Sequence, residues 1–149
     1  MNKFEIVDDP IIKEVETKLP VRSTKKSAGY DFFSKITVSI PPGQTYTFIT
    51  DVKIKLDDDC FLMMATRSGN GCKGIGLRNQ VGIIDADYYG NIDNDGNISV
   101  CLHNTGRGIF RVAVGDKIAQ GIILKYGVSE HKNECQNKKR KGGHGSTGK

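Results

Sequence analysis

At 149 residues, with 37% hydrophobic and 26% charged residues, 18 glycines and no tryptophan, the chain has the size and balance of one folded domain, long enough to bury a core. Its net charge of +5 is concentrated at one end, where Lys138, Lys139, Arg140, Lys141 and Lys149 occur without an acid. The body is therefore close to neutral, which argues against a diffuse basic face for duplex binding; no apolar run has the length of a membrane span, and Glu5, Asp8 and Asp9 stand where a signal peptide would be apolar, so a cytoplasmic protein is expected.

In chain order, residues 3 to 20 mix Phe4, Ile6, Ile11, Ile12, Val15 and Leu19 with acids and lysines up to Pro20, predicting an opening strand and an extended connection. Small residues then aromatics around Asp31 predict a bulged strand over 27 to 33. Alternation at 36 to 40 and again at 46 to 56, separated by Pro41-Pro42-Gly43, predicts two strands joined by a proline-glycine turn. The continuous apolar run at 60 to 65 reads as a strand buried on both faces, delivering Thr66, Arg67, Ser68 and Gly69 to its end, where a single short helix can open. Further strands are expected at 74 to 77, 81 to 84, 97 to 103, 108 to 112 and 117 to 125. Helical periodicity is never sustained, so the pattern is that of an all-β barrel or sandwich.

The stretch Gly82-Ile83-Ile84-Asp85-Ala86-Asp87-Tyr88-Tyr89-Gly90 reads as a buried strand stopping at a polar pocket. Asp85 would then sit at the rim of the core, where its basicity can be set for activating water, with the flat face of Tyr88 nearby. The plainer alternative is a hairpin with an Asp-rich turn. Asp95-Gly96 is a hairpin-turn signal, and the acids around it lack the closing glutamate of a calcium loop. Arg67-Ser68-Gly69 offers a guanidinium fork, a hydroxyl and amides to an anion, or else a surface ion pair. Gln120, among apolar neighbours, needs a hydrogen-bond partner that a ligand can supply. His103 and His131 have no evident catalytic partners and read as structural. Cys60, Cys72, Cys101 and Cys135 show neither close pairing nor metal-ligand spacing and read as reduced thiols. Residues 1 to 135 form the expected domain. The glycine-rich basic tail, 136 to 149, is either a flexible end or a phosphate-gripping lid; it is no nucleotide P-loop, because no strand precedes it.

In order, Ala28-Gly29-Tyr30-Asp31, Arg67-Ser68-Gly69, Gly82 to Gly90, Gly115-Asp116-Lys117-Ile118-Ala119-Gln120 and Gly142-Gly143-His144-Gly145-Ser146-Thr147-Gly148 resemble the five motifs of the trimeric deoxyuridine triphosphatases, or dUTPases. The resemblance covers the chain from about residue 20 to its end, and the third and fifth motifs are the specific ones. It implies a jelly-roll, β-barrel-like fold with one short helix, and a homotrimer whose sites draw on several chains. It also implies hydrolysis of dUTP to dUMP and pyrophosphate with Mg2+ held mainly by substrate phosphates and water, without a dedicated protein cage. Asp85 matches the carboxylate that activates water against the α-phosphorus. Asn79 and the backbone of Gly82, Ile83 and Ile84 match the uracil reader, and Tyr88 the residue under the deoxyribose. Arg67, Ser68, Gly69 and Gln120 match phosphate ligands, with Asp31 supporting the arginine. In the tail, Arg140, His144, Ser146 and Thr147 match substrate-closing residues.

The tail departs from the family pattern in two places. His144 stands where the family has phenylalanine over the base, and Lys139 competes with Arg140 for the phosphate clamp, where the planar fork favours Arg140. The segment 91 to 99 is longer than in compact relatives and is expected to reach outward. Two other readings remain: a dCTP deaminase of the same fold, and a non-catalytic nucleotide-sensing module. Specific nucleic-acid binding is not expected, since the basic tail lacks aromatic platforms.

Overall fold

Period-two alternation resolves into twelve strands, one helical turn and one 3₁₀ turn in the computed structural model, which describes residues 1–130. The five-stranded sheet runs β2 (Val21–Arg22), β3 (Tyr30–Phe33), β12 (Lys117–Lys125), β7 (Cys60–Ala65), β9 (Gly82–Asp85). A three-stranded sheet runs β5 (Thr45–Ile49), β10 (Ser99–Asn104), β8 (Ile75–Leu77). Two pairs complete the set: β1 (Lys3–Ile6) with β6 (Val52–Lys55), and β11 (Phe110–Val112) with β4 (Val38–Ile40). All pairings are antiparallel. Phe32, Leu62, Met64 and Ile118 from the larger sheet meet Phe48, Ile75, Val100 and Leu102 from the smaller in one core, and each large side chain buried there contributes about 1.5–3 kcal/mol. The all-β, jelly-roll-like architecture with one short helix, α1 (Ser68–Gly71), is the expected one.

Several local expectations are corrected. Strands β4 and β5 do not pair with each other; they belong to different sheets, β4 beside β11 and β5 beside β10. Buried Asn104 drives the crossing: its carbonyl accepts the Gly43 N–H at 2.7 Å, its own N–H donates to Gln44 O, and its amide donates to Ile40 O at 2.8 Å. The run 46 to 56 is two strands, because Asp51 takes a left-handed φ of 56° between them. The bulge falls on β12, between Lys117 and Ala119, and not on the Asp31 strand. Strand β7 is buried on one face only: Cys60, Leu62 and Met64 point inward, while Phe61, Met63 and Ala65 are half-covered.

Past β1 the chain runs without regular structure, pinned by a buried ion pair. Lys35 Nζ donates to Asp51 Oδ2 at 2.5 Å, to Ile12 O at 2.6 Å and to Thr17 Oγ1 at 2.7 Å. Asp51 also accepts the N–H groups of Ile11 and Ile12 and the amide of Asn97. Burial pushes the Asp51 carboxyl up, but the hydrogen bonds from Lys35, Ile11, Ile12 and Asn97 outweigh it and hold the group below the usual carboxylate range.

Candidate active site

Strand β9 is an edge strand, not a buried one. It pairs with β7 through Gly82 opposite Met64, Ile83 opposite Met63, Ile84 opposite Leu62 and Asp85 opposite Phe61, and no strand lies on its other side among the described residues. Gly82 is buried, whereas Ile83 is 51% exposed and Asp85 is exposed too. A Cβ on Gly82 would come within 3.0 Å of Met64 Cβ and 3.6 Å of Asn79 Nδ2, so glycine keeps a narrow slot between those two side chains. The turn entering β9 is tight: Gln80 has a φ of 64°, and the Val81 N–H donates to Asn79 O at 2.7 Å.

Asp85 ends the strand and N-caps the 3₁₀ turn Ala86–Tyr88 in an extended conformation, opening onto a cleft of about 860 Å³. The rings lining that cleft are Phe61, Tyr89 and Tyr126. Tyr88 is half-buried, with its hydroxyl end on the loop that follows. Its hydroxyl accepts from Asn94 Nδ2 at 2.8 Å and donates to Asn97 O at 3.3 Å. That loop does not reach outward as a hairpin. Asp95 accepts from Lys53 Nζ at 2.7 Å and from the Asp8 N–H, Asn97 Oδ1 accepts the Asp51 N–H, and only positions 92 to 94 stay exposed. Consecutive left-handed residues, Asp95 at 57° and Gly96 at 79°, make the turn that Asp-Gly signals.

The other group of predicted residues gathers where β7 ends. Arg67 Nε donates to Asp31 Oδ1 at 2.8 Å, while Lys117 Nζ and Ser23 Oγ each meet Asp31 Oδ2 at 2.7 Å. Burial raises the Asp31 carboxyl, but those hydrogen bonds and the charges of Arg67 and Lys117 prevail and lower it. Strand register explains the meeting, since Gln120 lies opposite both Asp31 and Ala65. Gln120 finds its partner within the chain, donating to Thr66 O at 3.1 Å, and its Oε1 sits where a Cβ at Gly29 would collide with it. Ser68 and Gly69 start α1, exposed beside this cluster. A cavity of about 370 Å³ next to it is lined by Arg67, Lys73, Arg111 and Lys117. Ser23 and the asparagines around Tyr88 carry no sequence signal, and Lys117 stands in its motif without a role, because strand pairing and a loop fold bring them in.

One chain does not bring the two groups together. Asp85 faces Phe61 near the start of β7, and Arg67 follows its end; six extended residues at about 3.3 Å each put them roughly 20 Å apart. Arg140, His144, Ser146 and Thr147 lie outside the described residues, as do His131 and Cys135. Within them Cys60 is buried, Cys101 half-buried and Cys72 exposed, all as free thiols.

A family model of dUTPase matches residues 15–148. The chain is 36% identical over 146 residues to the deoxyuridine 5'-triphosphate nucleotidohydrolase of Lactococcus lactis, covering 97% of this chain and 96% of that one. It is 37% identical over 122 residues to the enzyme of the same name from Variola virus, covering 80% and 78%. Among solved structures, the dUTPase of Streptococcus mutans superposes with a TM-score of 0.75 at 29% identity, covering 86% of this chain and 98% of that one. The dUTPase of Staphylococcus aureus phage phi11, in which a structural Mg(II) ion is coordinated, shares the fold at a TM-score of 0.70 and 22% identity, covering 89% and 95%. With the family match running nearly end to end over a fold of the same kind, the chain belongs to the dUTPase family.

Proposed function

We propose that the chain hydrolyses dUTP to dUMP and pyrophosphate in a homotrimer, with water attacking the α-phosphorus, and so limits uracil incorporation into DNA while supplying dUMP. The observation that carries this reading is the edge position of β9: the backbone of Gly82, Ile83 and Ile84 offers its outer donors and acceptors beside a glycine-floored slot, and Asp85 follows at once. A planar pyrimidine can pair with such an edge as an added strand would, and donor and acceptor polarity separates uracil from cytosine. Met64 and Asn79, close around Gly82, leave little room for a thymine methyl.

In this reading Asp85 accepts a proton from the attacking water, and Tyr88 lies under the deoxyribose without space for a 2′-hydroxyl. Arg67, Ser68, Gly69 and Gln120 of a neighbouring chain hold the phosphates, with Asp31 orienting Arg67. Arg140, His144, Ser146 and Thr147 complete the enclosure. The roughly 20 Å between Asp85 and Arg67 supports a site divided between chains. Ile83, Met63, Ile122, Phe61 and Leu124 share the outer face of the larger sheet, an apolar surface suited to contact between copies. Mg2+ arriving with the triphosphate would be held mainly by phosphate oxygens and water. Bound that way, Mg2+ offsets phosphate charge. A cytoplasmic location fits a substrate drawn from the nucleotide pool.

Parallel assays of pyrophosphate release from dUTP, dTTP, dCTP and UTP test this. Release from dUTP alone is expected, with Asp85→Asn lowering kcat at least about 1000-fold while dUTP still binds. Ammonia from dCTP would instead mark the deaminase, and binding of dUTP without turnover a sensor.

A further inference from the structure

The 3₁₀ turn that carries Tyr88 is gripped by three asparagines from the loop behind it. Asn91 Oδ1 accepts the N–H groups of Asp93 and Asn94, and Asn91 Nδ2 donates to Tyr88 O at 3.2 Å and to Asn94 Oδ1 at 2.8 Å. Asn94 Oδ1 also accepts the Gly96 N–H, which turns Asn94 Nδ2 onto the Tyr88 hydroxyl at 2.8 Å and onto Asn97 O at 3.3 Å. Asn97 is buried and tied to Asp51 twice: its Oδ1 accepts the Asp51 N–H and its Nδ2 donates to Asp51 Oδ1, each at 3.0 Å. Asp51 is the partner of buried Lys35. A chain of satisfied polar contacts therefore runs from a buried ion pair to the tip of the Tyr88 ring.

Excluding a 2′-hydroxyl is a matter of about one oxygen atom's clearance, and a ring held only at its Cβ end can tilt by that much about χ1 and χ2. A ring also held at its hydroxyl, by a donor and an acceptor on one rigid loop, cannot. We propose that Asn94 and Asn97 are positioning residues that fix the tilt of Tyr88 and thereby set discrimination between deoxyribo- and ribonucleoside triphosphates. This rests on the reading that Tyr88 lies under the sugar. The loop so acts as part of the specificity machinery without touching substrate.

Asn94 is exposed, so its replacement leaves the core intact. In the full-length protein, Asn94→Ala is expected to lower the dUTP-to-UTP ratio of kcat/KM about five- to tenfold, as for loss of one orienting hydrogen bond, with the change falling on KM more than on kcat. Tyr88→Phe, which keeps the ring and removes both hydroxyl contacts, is expected to do the same, and the double variant to add nothing further. Should Asn94→Ala melt at a much lower temperature, Tyr88→Phe alone decides. If Tyr88→Ala loses discrimination while Tyr88→Phe and a folded Asn94→Ala keep it, the positioning role is wrong and the sugar-contact reading stands. If Tyr88→Ala also discriminates as the parent does, both fall.

Discussion

At the scale of single residues, Asp51 has the most to lose. It combines a left-handed backbone, complete burial and four hydrogen-bond donors to its carboxylate, one of them the buried Lys35 ammonium. Asp51→Ala leaves Lys35 charged in the interior without its anion, a change that costs about 3–5 kcal/mol. Urea unfolding at pH 7 should show that loss. Because the folded carboxyl titrates below its unfolded value, its contribution is present above the unfolded pKa and disappears as pH falls through the folded one. The gap between parent and variant should therefore shrink on acidification below about pH 4, and a gap constant with pH would contradict the assignment. In sequence Asp51 reads as one acid within a strand. Alternation of Val52, Ile54 and Leu56 speaks for a continuous strand, and nothing local reveals that Lys35 and the segment around Ile11 fold in against position 51. The pairing of Asp31 with Arg67 is legible through the family motifs, but its contacts with Ser23 and Lys117 are not, since they form through strand register and a loop rather than through spacing.

Among the elements, β12 and β7 were legible to the residue, because long apolar runs bounded by turns leave few alternatives. The pairing of β4 and β5 was not. A proline-glycine turn between two alternating runs resembles a hairpin, whereas Asn104, sixty residues on, draws that turn to the other sheet. Nor is the burial of β9 legible: two isoleucines before an aspartate look like core, yet register turns Ile83 outward and Ile84 inward. The motif singles out Gly82, and the structure shows a narrow space there between Met64 and Asn79. Gly82→Ala would push a methyl against Met64 Cβ and toward Asn79, narrowing the place assigned to uracil. KM for dUTP should rise about tenfold or more, with the melting temperature shifting by only a few degrees. Unchanged KM in a folded Gly82→Ala protein would remove the slot from the site.

For the whole molecule, the decisive feature is that a single chain carries the two halves of the proposed chemistry at opposite ends of β7. Arg67 is turned toward β3 by Asp31, while Asp85 lies on the far edge strand, so no side-chain rotation bridges the gap. The half-covered apolar rows of the outer sheet face, with Ile83 and Leu124 among them, offer the surface through which copies can meet. The most direct test mixes two inactive proteins, Asp85→Asn and Arg67→Ala, unfolds them together and refolds them as mixed trimers. If each site takes its carboxylate from one chain and its arginine from the next around a three-fold ring, random assembly of equal amounts should restore about a quarter of the parent's dUTP hydrolysis. If Asp85 and Arg67 serve the same site from the same chain, every site retains a defect, and the mixture should stay as inactive as its components.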